Sequence, residues 1–150
     1  MPASRAASPS FHANTFAAGT HFIATGTDGK ILKMSSSYLT DEGSSITRIR
    51  QAPHLSDEQK VLTYSRFQLD MDVGTVTSAP TVSLAVSDDG GKTFGSEINA
   101  TAGASGETKA RVVWRRLGKS RDRVFRVTQT SSEMVSYAAA YLEVAPGAGR

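Results

Sequence analysis

Between residues 66 and 73 the side chains alternate strictly in character. Phe67, Leu69, Met71 and Val73 are apolar, while Arg66, Gln68, Asp70 and Asp72 are polar. Successive side chains leave a strand on opposite faces, so this period of two sets an apolar row against a core and a polar row toward solvent. The segment TVSLAV repeats the pattern with Val82, Leu84 and Val86 on one face. ITRIRQ (46–51) also alternates. HFIAT and KILKM flank Asp28–Gly29 and predict a β-hairpin. TDEGSS (40–45) reads as a second turn.

The remaining segments follow the same logic. APHLSDEQK (52–60) breaks at Pro53, and Ser56 is placed to cap a short turn whose acids, Asp57 and Glu58, suit a helix N-terminus. EINATAGASGE (97–107) reads as a small-residue loop. TKARVVWRRLG and RDRVFRVTQT read as two strands joined by a turn at Gly118–Ser120. MVSYAAAYLEVAP (134–146) reads as a final strand, because Val135, Tyr137, Tyr141 and Val144 are strand formers. About seven to nine short strands with turns between them predict an all-β fold, an antiparallel β-sandwich or open barrel.

The 150 residues fit one domain and are too few for a multi-bladed propeller, whose blades take about 40–50 residues each. There is no cysteine, which excludes a disulfide scaffold and a thiolate metal site. No apolar run approaches the roughly 18 residues of a membrane-spanning helix, so no membrane association is expected. Residues 1–20 contain Arg5 and no acid, and are too poor in apolar groups to fold alone. They read as an extended, flexible or partner-bound N-terminal arm, followed by a β-domain over 21–145 and a tail over 146–150. The net charge of +3 is uneven: residues 1–100 carry 8 Lys/Arg against 10 Asp/Glu, and residues 101–150 carry 9 against 4. Arginine dominates the basic half, which suits a polyanion or bidentate pairing with carboxylates.

Within that frame, SDDGGKTF (87–94) has the pattern S-x-D-x-G-x-T-aromatic and resembles the Asp-box of sialidases and other β-propellers. Its chemistry is structural. Asp89 can accept backbone N–H groups, Gly90 and Gly91 permit positive φ, Thr93 helps lock the tip, and Phe94 tucks the turn onto a sheet. In sialidases this turn lies away from the catalytic residues, so the motif predicts a structural turn and no enzyme. A carbohydrate-binding module of a tail or sialidase-like protein is the alternative it leaves.

Other constellations are weaker. Asp70 and Asp72 share a strand face, as a metal pair would, but also as any solvent-facing strand shows. His12, His21 and His54 form no metal-ligand or catalytic spacing. No nucleophile elbow, Walker loop or dinucleotide fingerprint occurs, and no cofactor is expected. Arg111, Arg115, Arg116, Arg121, Arg123 and Arg126 interleave with Trp114 and Phe125. They suit a subunit interface or a DNA channel, and exposed aromatics beside them would suit single-stranded nucleic acid.

The order of motifs is the most specific signal. YLTDEGSSITRIRQAPHL, YSRFQLDMDVGT, PTVSLAVSDDGGKTF, RVVWRRLGKSRDRVFRV and AAYLEV occur in succession. Over residues 22–144 this resembles the C-terminal part of the packaged-DNA stabilisation proteins of short-tailed bacteriophages, the tail hub or nozzle components. The resemblance implies a virion protein of the tail or neck, assembled as a ring, a hexamer, around the DNA channel below the portal. It implies contact with the portal or adaptor and other tail proteins, possible contact with packaged DNA, and no catalysis. The family's chains are several times longer, and much of the additional part looks like a β-propeller.

Overall fold

The computed structural model describes residues 11–26, 28–73, 79–104 and 106–147. The chain divides into two units, residues 1–39 and 40–150. In the first, β1 (Phe11–Ala17), β2 (Thr20–Thr25) and β3 (Ile31–Met34) form an antiparallel meander. The hairpin expected around Asp28 joins β2 to β3. Its ends are held by the Thr25 N–H on the Lys30 carbonyl at 2.9 Å. The Thr25 hydroxyl donates to the Asp28 carboxylate, which also pairs with Lys30 at 2.9 Å. Those donors lower the Asp28 pKa to about 2.

The stretch read as an arm enters a sheet well before residue 20. β1 pairs with β2 from Phe11↔Thr25 to Ala17↔Thr20. Ala18 and Gly19, both at positive φ, make the two-residue turn that matches strand twist. The low apolar content that suggested an arm is therefore compatible with a strand, because the ladder is made by backbone. Residues 1–10 lie outside the described residues.

The second unit holds β4 (Thr40–Asp41), β5 (Ser44–Ser45), β6 (Thr47–Gln51), β7 (Leu55–Ser56), β8 (Leu62–Asp72), β9 (Thr81–Ser87), β10 (Ile98–Thr101), β11 (Lys109–Arg115), β12 (Lys119–Ser120), β13 (Asp122–Thr130) and β14 (Ser136–Pro146). The turn expected at 40–45 is the β4–β5 hairpin. One sheet has the order β10-β9-β13-β6, with β7 also on β13; the other has β11 and β12 on one edge of β8 and β14 on the other. All pairings are antiparallel, and the all-β expectation holds as a β-sandwich.

Alternation builds the core as expected. Phe67, Leu69, Met71 and Val73 are buried from one sheet, and Val82, Leu84, Phe125 and Val127 from the other. Phe67 stacks on Phe125 across the sheets, centroids 5.2 Å apart at 27°. Tyr64 meets Phe125 edge-on at 5.6 Å, and Trp114 tilts against Phe67 at 5.9 Å. Tyr64 reaches this cluster because the β8–β14 register slips at Ser65. Glu143 pairs with Arg66 and Val144 with Tyr64, so one residue is left over. Such a bulge reverses the parity of the strand and turns Tyr64 to the side of Phe67.

Three local expectations are corrected. Residues 56–60 make no helical turn: Glu58 and Gln59 take positive φ, and the Lys60 N–H reaches the Asp57 carbonyl at 2.7 Å. Residues 98–101, read as loop, are β10, because the edge of β9 supplies a partner for Ile98–Thr101. β11 and β13 do not form a hairpin. Arg116 and Gly118 at positive φ carry the chain from one sheet to the other, and β12 pairs with β8 instead.

Trp114 closes one side of the sandwich. Its indole N–H donates to the Ile98 carbonyl of β10 at 2.9 Å. Phe125→Ala is expected to destabilise the protein by about 3–5 kcal/mol, as a truncated core aromatic does. Trp114→Phe should cost less, about 1 kcal/mol for the lost hydrogen bond plus whatever volume is left unfilled. Urea denaturation followed by far-UV circular dichroism measures both.

Candidate functional site

Two sequence-predicted groups, the Ser87–Phe94 turn and the arginines of β11–β13, meet at one guanidinium. Arg123 points inward from β13, because it shares a face with Phe125 and Val127, and is 3% exposed. Isolated burial of such an ion costs several kcal/mol. Here the charge is matched on every side. Its Nε reaches Asp88 Oδ1 at 2.6 Å and a terminal nitrogen reaches Oδ2 at 2.8 Å. Another N–H donates to the Leu117 carbonyl, with a longer contact of 3.4 Å to the Lys119 carbonyl. The guanidinium also lies 4.7 Å from the Tyr64 ring centroid. The Arg123 hydrogen bonds hold the Asp88 pKa below its ordinary value.

The turn itself is closed by its own side chains. Ser87 donates to Asp89 at 2.6 Å and accepts the Gly91 N–H at 2.9 Å. Asp89 accepts the Lys92 N–H at 3.0 Å, the Thr93 N–H at 2.9 Å and the Thr93 hydroxyl. These donors, Ser87 and Thr93 foremost, push the Asp89 pKa far below the usual carboxylate range. Gly90 and Gly91 take φ of 78° and 83°. A Cβ on Gly90 would sit 3.0 Å from the His54 ring, and one on Gly91 3.2 Å from Gln51 Nε2. Both positions therefore favour glycine for conformation, while the neighbouring His54 and Gln51 side chains are exposed and could give way to a Cβ.

The turn does not pass directly into a strand at Phe94; the next strand, β10, begins at Ile98. Instead it folds over the outer face of the β9–β13 sheet. Arg126 lies over the Phe94 ring at 3.8 Å, its Nε without a hydrogen-bond partner, and Val124 is buried at 1% exposure near Gly91. The Gly95 N–H returns to the Val86 carbonyl at 2.9 Å.

The other arginines part company. Arg111 pairs with Asp70 at 3.2 Å on the outer face of the β11–β8–β14 sheet. Gln68, 5% exposed there, donates to Asp70 at 2.8 Å and accepts from Arg66. Arg121 donates to the Gln59 carbonyl. Arg115, Arg116, Lys119 and Arg121 are exposed within seven residues of chain. Sequence reasoning grouped six arginines as one surface; two of them, Arg123 and Arg126, are held within the fold. The signal that could have separated Arg123 is strand parity, which sets it on the same face as Phe125 and Val127.

Trp114 and Phe125 are 3% and 1% exposed, which removes the aromatic platform that stacking on single-stranded nucleic acid requires. Asp70 is engaged by Arg111 and Gln68, and Asp72 lies exposed opposite Lys109. His54 Nδ1 faces the Asp122 carboxylate at 3.0 Å, and His21 packs on Phe16 with centroids 4.7 Å apart. Among the described residues no cluster of three or more His, Cys, Asp or Glu could hold a metal ion.

Comparison with protein families matches residues 47–145 to the family described as "Bacteriophage P22 Gp10, beta-sandwich". The match begins at β6, inside the second unit, whereas the resemblance in sequence extends back to residue 22. No curated protein matches the chain.

Arg123→Ala should destabilise the fold by about 3 kcal/mol, at the low end for a broken buried pair because Asp88 is half in water. Both Asp88 and Asp89 have lowered pKa values in the fold, so their contribution is present above about pH 4 and is lost as pH falls through the folded values. Asp89→Asn should lower the thermal midpoint at pH 7, and the gap from the parent should narrow toward pH 2. A gap independent of pH would contradict this origin of the stabilisation.

Proposed function

The chain belongs to the bacteriophage P22 Gp10 β-sandwich family, and on that premise we propose that it is a virion structural protein, a subunit of the phage tail or neck. In this reading it is a hub or nozzle component, assembled as a ring around the DNA channel and attached to the portal or adaptor and to other tail proteins. The family match over the whole sandwich carries the proposal. A closed ring needs one heterologous contact repeated around an axis. The exposed Arg115, Arg116 and Arg121 are the groups available to meet a neighbour's carboxylates or phosphate in the channel. Arg115 stands directly opposite Arg66 in the β11–β8 ladder, and Arg66 has Glu143 of β14 on its other side, which leaves Arg115 as the outward-facing charge of the row.

No observation favours the carbohydrate-binding alternative: the Asp89 oxygens are engaged by Ser87, Lys92 and Thr93 within the turn. The proposal assigns no catalytic residue.

Quantitative mass spectrometry of purified virions tests this reading. The expected result is a fixed copy number, a simple multiple relative to the portal. Absence from virions would sink it. Charge reversal at Arg115 and Arg116 should leave the monomer folded while impairing incorporation into particles.

A further inference from the structure

The sandwich is closed on one side and open on the other. Trp114 ties β11 to β10 on the closed side. On the open side β6 and β14 flank a cleft of about 760 Å³ that reaches the core rings of Phe67 and Phe125. The cause lies in the sequence of the two edges. The inward positions of β6, opposite Gln129 and Val127, are Arg48 and Arg50 rather than apolar residues. The inward position of β14 opposite Leu69 is Ala140, whose small side chain leaves the space between the two edges unfilled.

Three features of this cleft define an occupant. First, among the described residues no strand pairs the second edge of β14, eleven residues long with Glu143 as its single charge. Exposed strands of this length are ordinarily blunted by charges or proline, and β14 has its proline only at the end. Second, the Tyr137 hydroxyl, in the cleft lining, is buried without a hydrogen-bond partner. Third, Arg48 is held by Gln129 and the Ser131 carbonyl at 3.0 Å each, whereas no hydrogen bond or ion pair engages the Arg50 side chain among the described residues.

We propose that this cleft is a docking site for an extended segment of a different protein, one that adds as a strand to the free edge of β14, drops an apolar side chain between the sheets and presents a carboxylate to Arg50. Charge weighs against two other occupants, a two-fold-related copy and the chain's own first twenty residues. A second copy meeting this side about a two-fold axis normal to the sheets would set Arg48 and Arg50 against their own counterparts. Residues 1–20 of the chain carry Arg5 and no acid. Strand addition supplies affinity through backbone hydrogen bonds, and the side-chain pocket supplies selectivity. The inference concerns a different surface from Arg115 and Arg116 and stands whether or not the chain forms a ring.

The test uses the full chain and short blocked peptides that alternate valine with serine and differ only in a central Glu, Gln or Lys. Amide NMR shifts and hydrogen exchange are read on β14 and β6. The Glu peptide is expected to shift and protect Tyr137–Glu143, to bind about ten-fold more tightly than the Gln peptide, and to outbind the Lys peptide further. Arg50→Glu, on an exposed side chain, should reverse the Glu–Lys preference. Ala140→Trp should plug the cleft and abolish binding while the thermal midpoint holds. Failure of all the peptides to perturb β14, equal binding of the Glu and Lys peptides, or unchanged binding to Ala140→Trp would each overturn the proposal. So would concentration-dependent self-association that protects β14 without peptide.

Discussion

The guanidinium of Arg123 is the point at which the second unit is tied together. A buried cation left without partners destabilises its surroundings by several kcal/mol. Arg123 achieves this by drawing on three separate pieces of chain: Asp88 from the turn after β9, the Leu117 carbonyl from the crossover after β11, and the Tyr64 ring from β8. The first two pieces are irregular backbone, and the third belongs to a strand of the opposite sheet. With them fixed, the Ser87–Phe94 turn lies flat on the β9–β13 sheet and the crossover returns to β8 through the Leu117 N–H on the Tyr64 carbonyl.

That arrangement gives a physical reason for the order of motifs in the chain. SDDGGKTF and WRRLGKSRDRVFR look like two signals in sequence, one turn and one basic stretch. In the fold they are two halves of a single ion pair. Arg126 repeats the relationship on the outer face by covering Phe94. The basic stretch is thereby divided into arginines that hold the fold and arginines that face outward, and only the second kind is available to partners.

The two long edges of the sandwich are treated differently. On the β10–β11 side an indole hydrogen bond and buried aromatics seal the sheets. On the β6–β14 side arginines and alanines leave them apart.

Most of the strands were legible in the sequence because alternation is a local property. Phe67, Leu69, Met71 and Val73 announce their face without reference to any partner, and so do Val82 and Leu84. The composition of the Ser87–Phe94 turn likewise specifies its own hydrogen bonds, since Ser87, Asp89 and Thr93 are close along the chain. What the sequence could not decide was pairing. β10 exists because β9 has an edge to offer, β1 because β2 does, and Tyr64 faces the core because a bulge at Ser65 slips the register against β14. The separation of β11 from β13 into different sheets, the burial of Arg123 and Arg126, and the open cleft beneath β14 all depend on contacts between residues far apart in sequence. Local chemistry determined which residues could be strands and turns; the tertiary structure decided which charges would be spent inside the fold and which left facing solvent, because only packing settles where a side chain ends up relative to water.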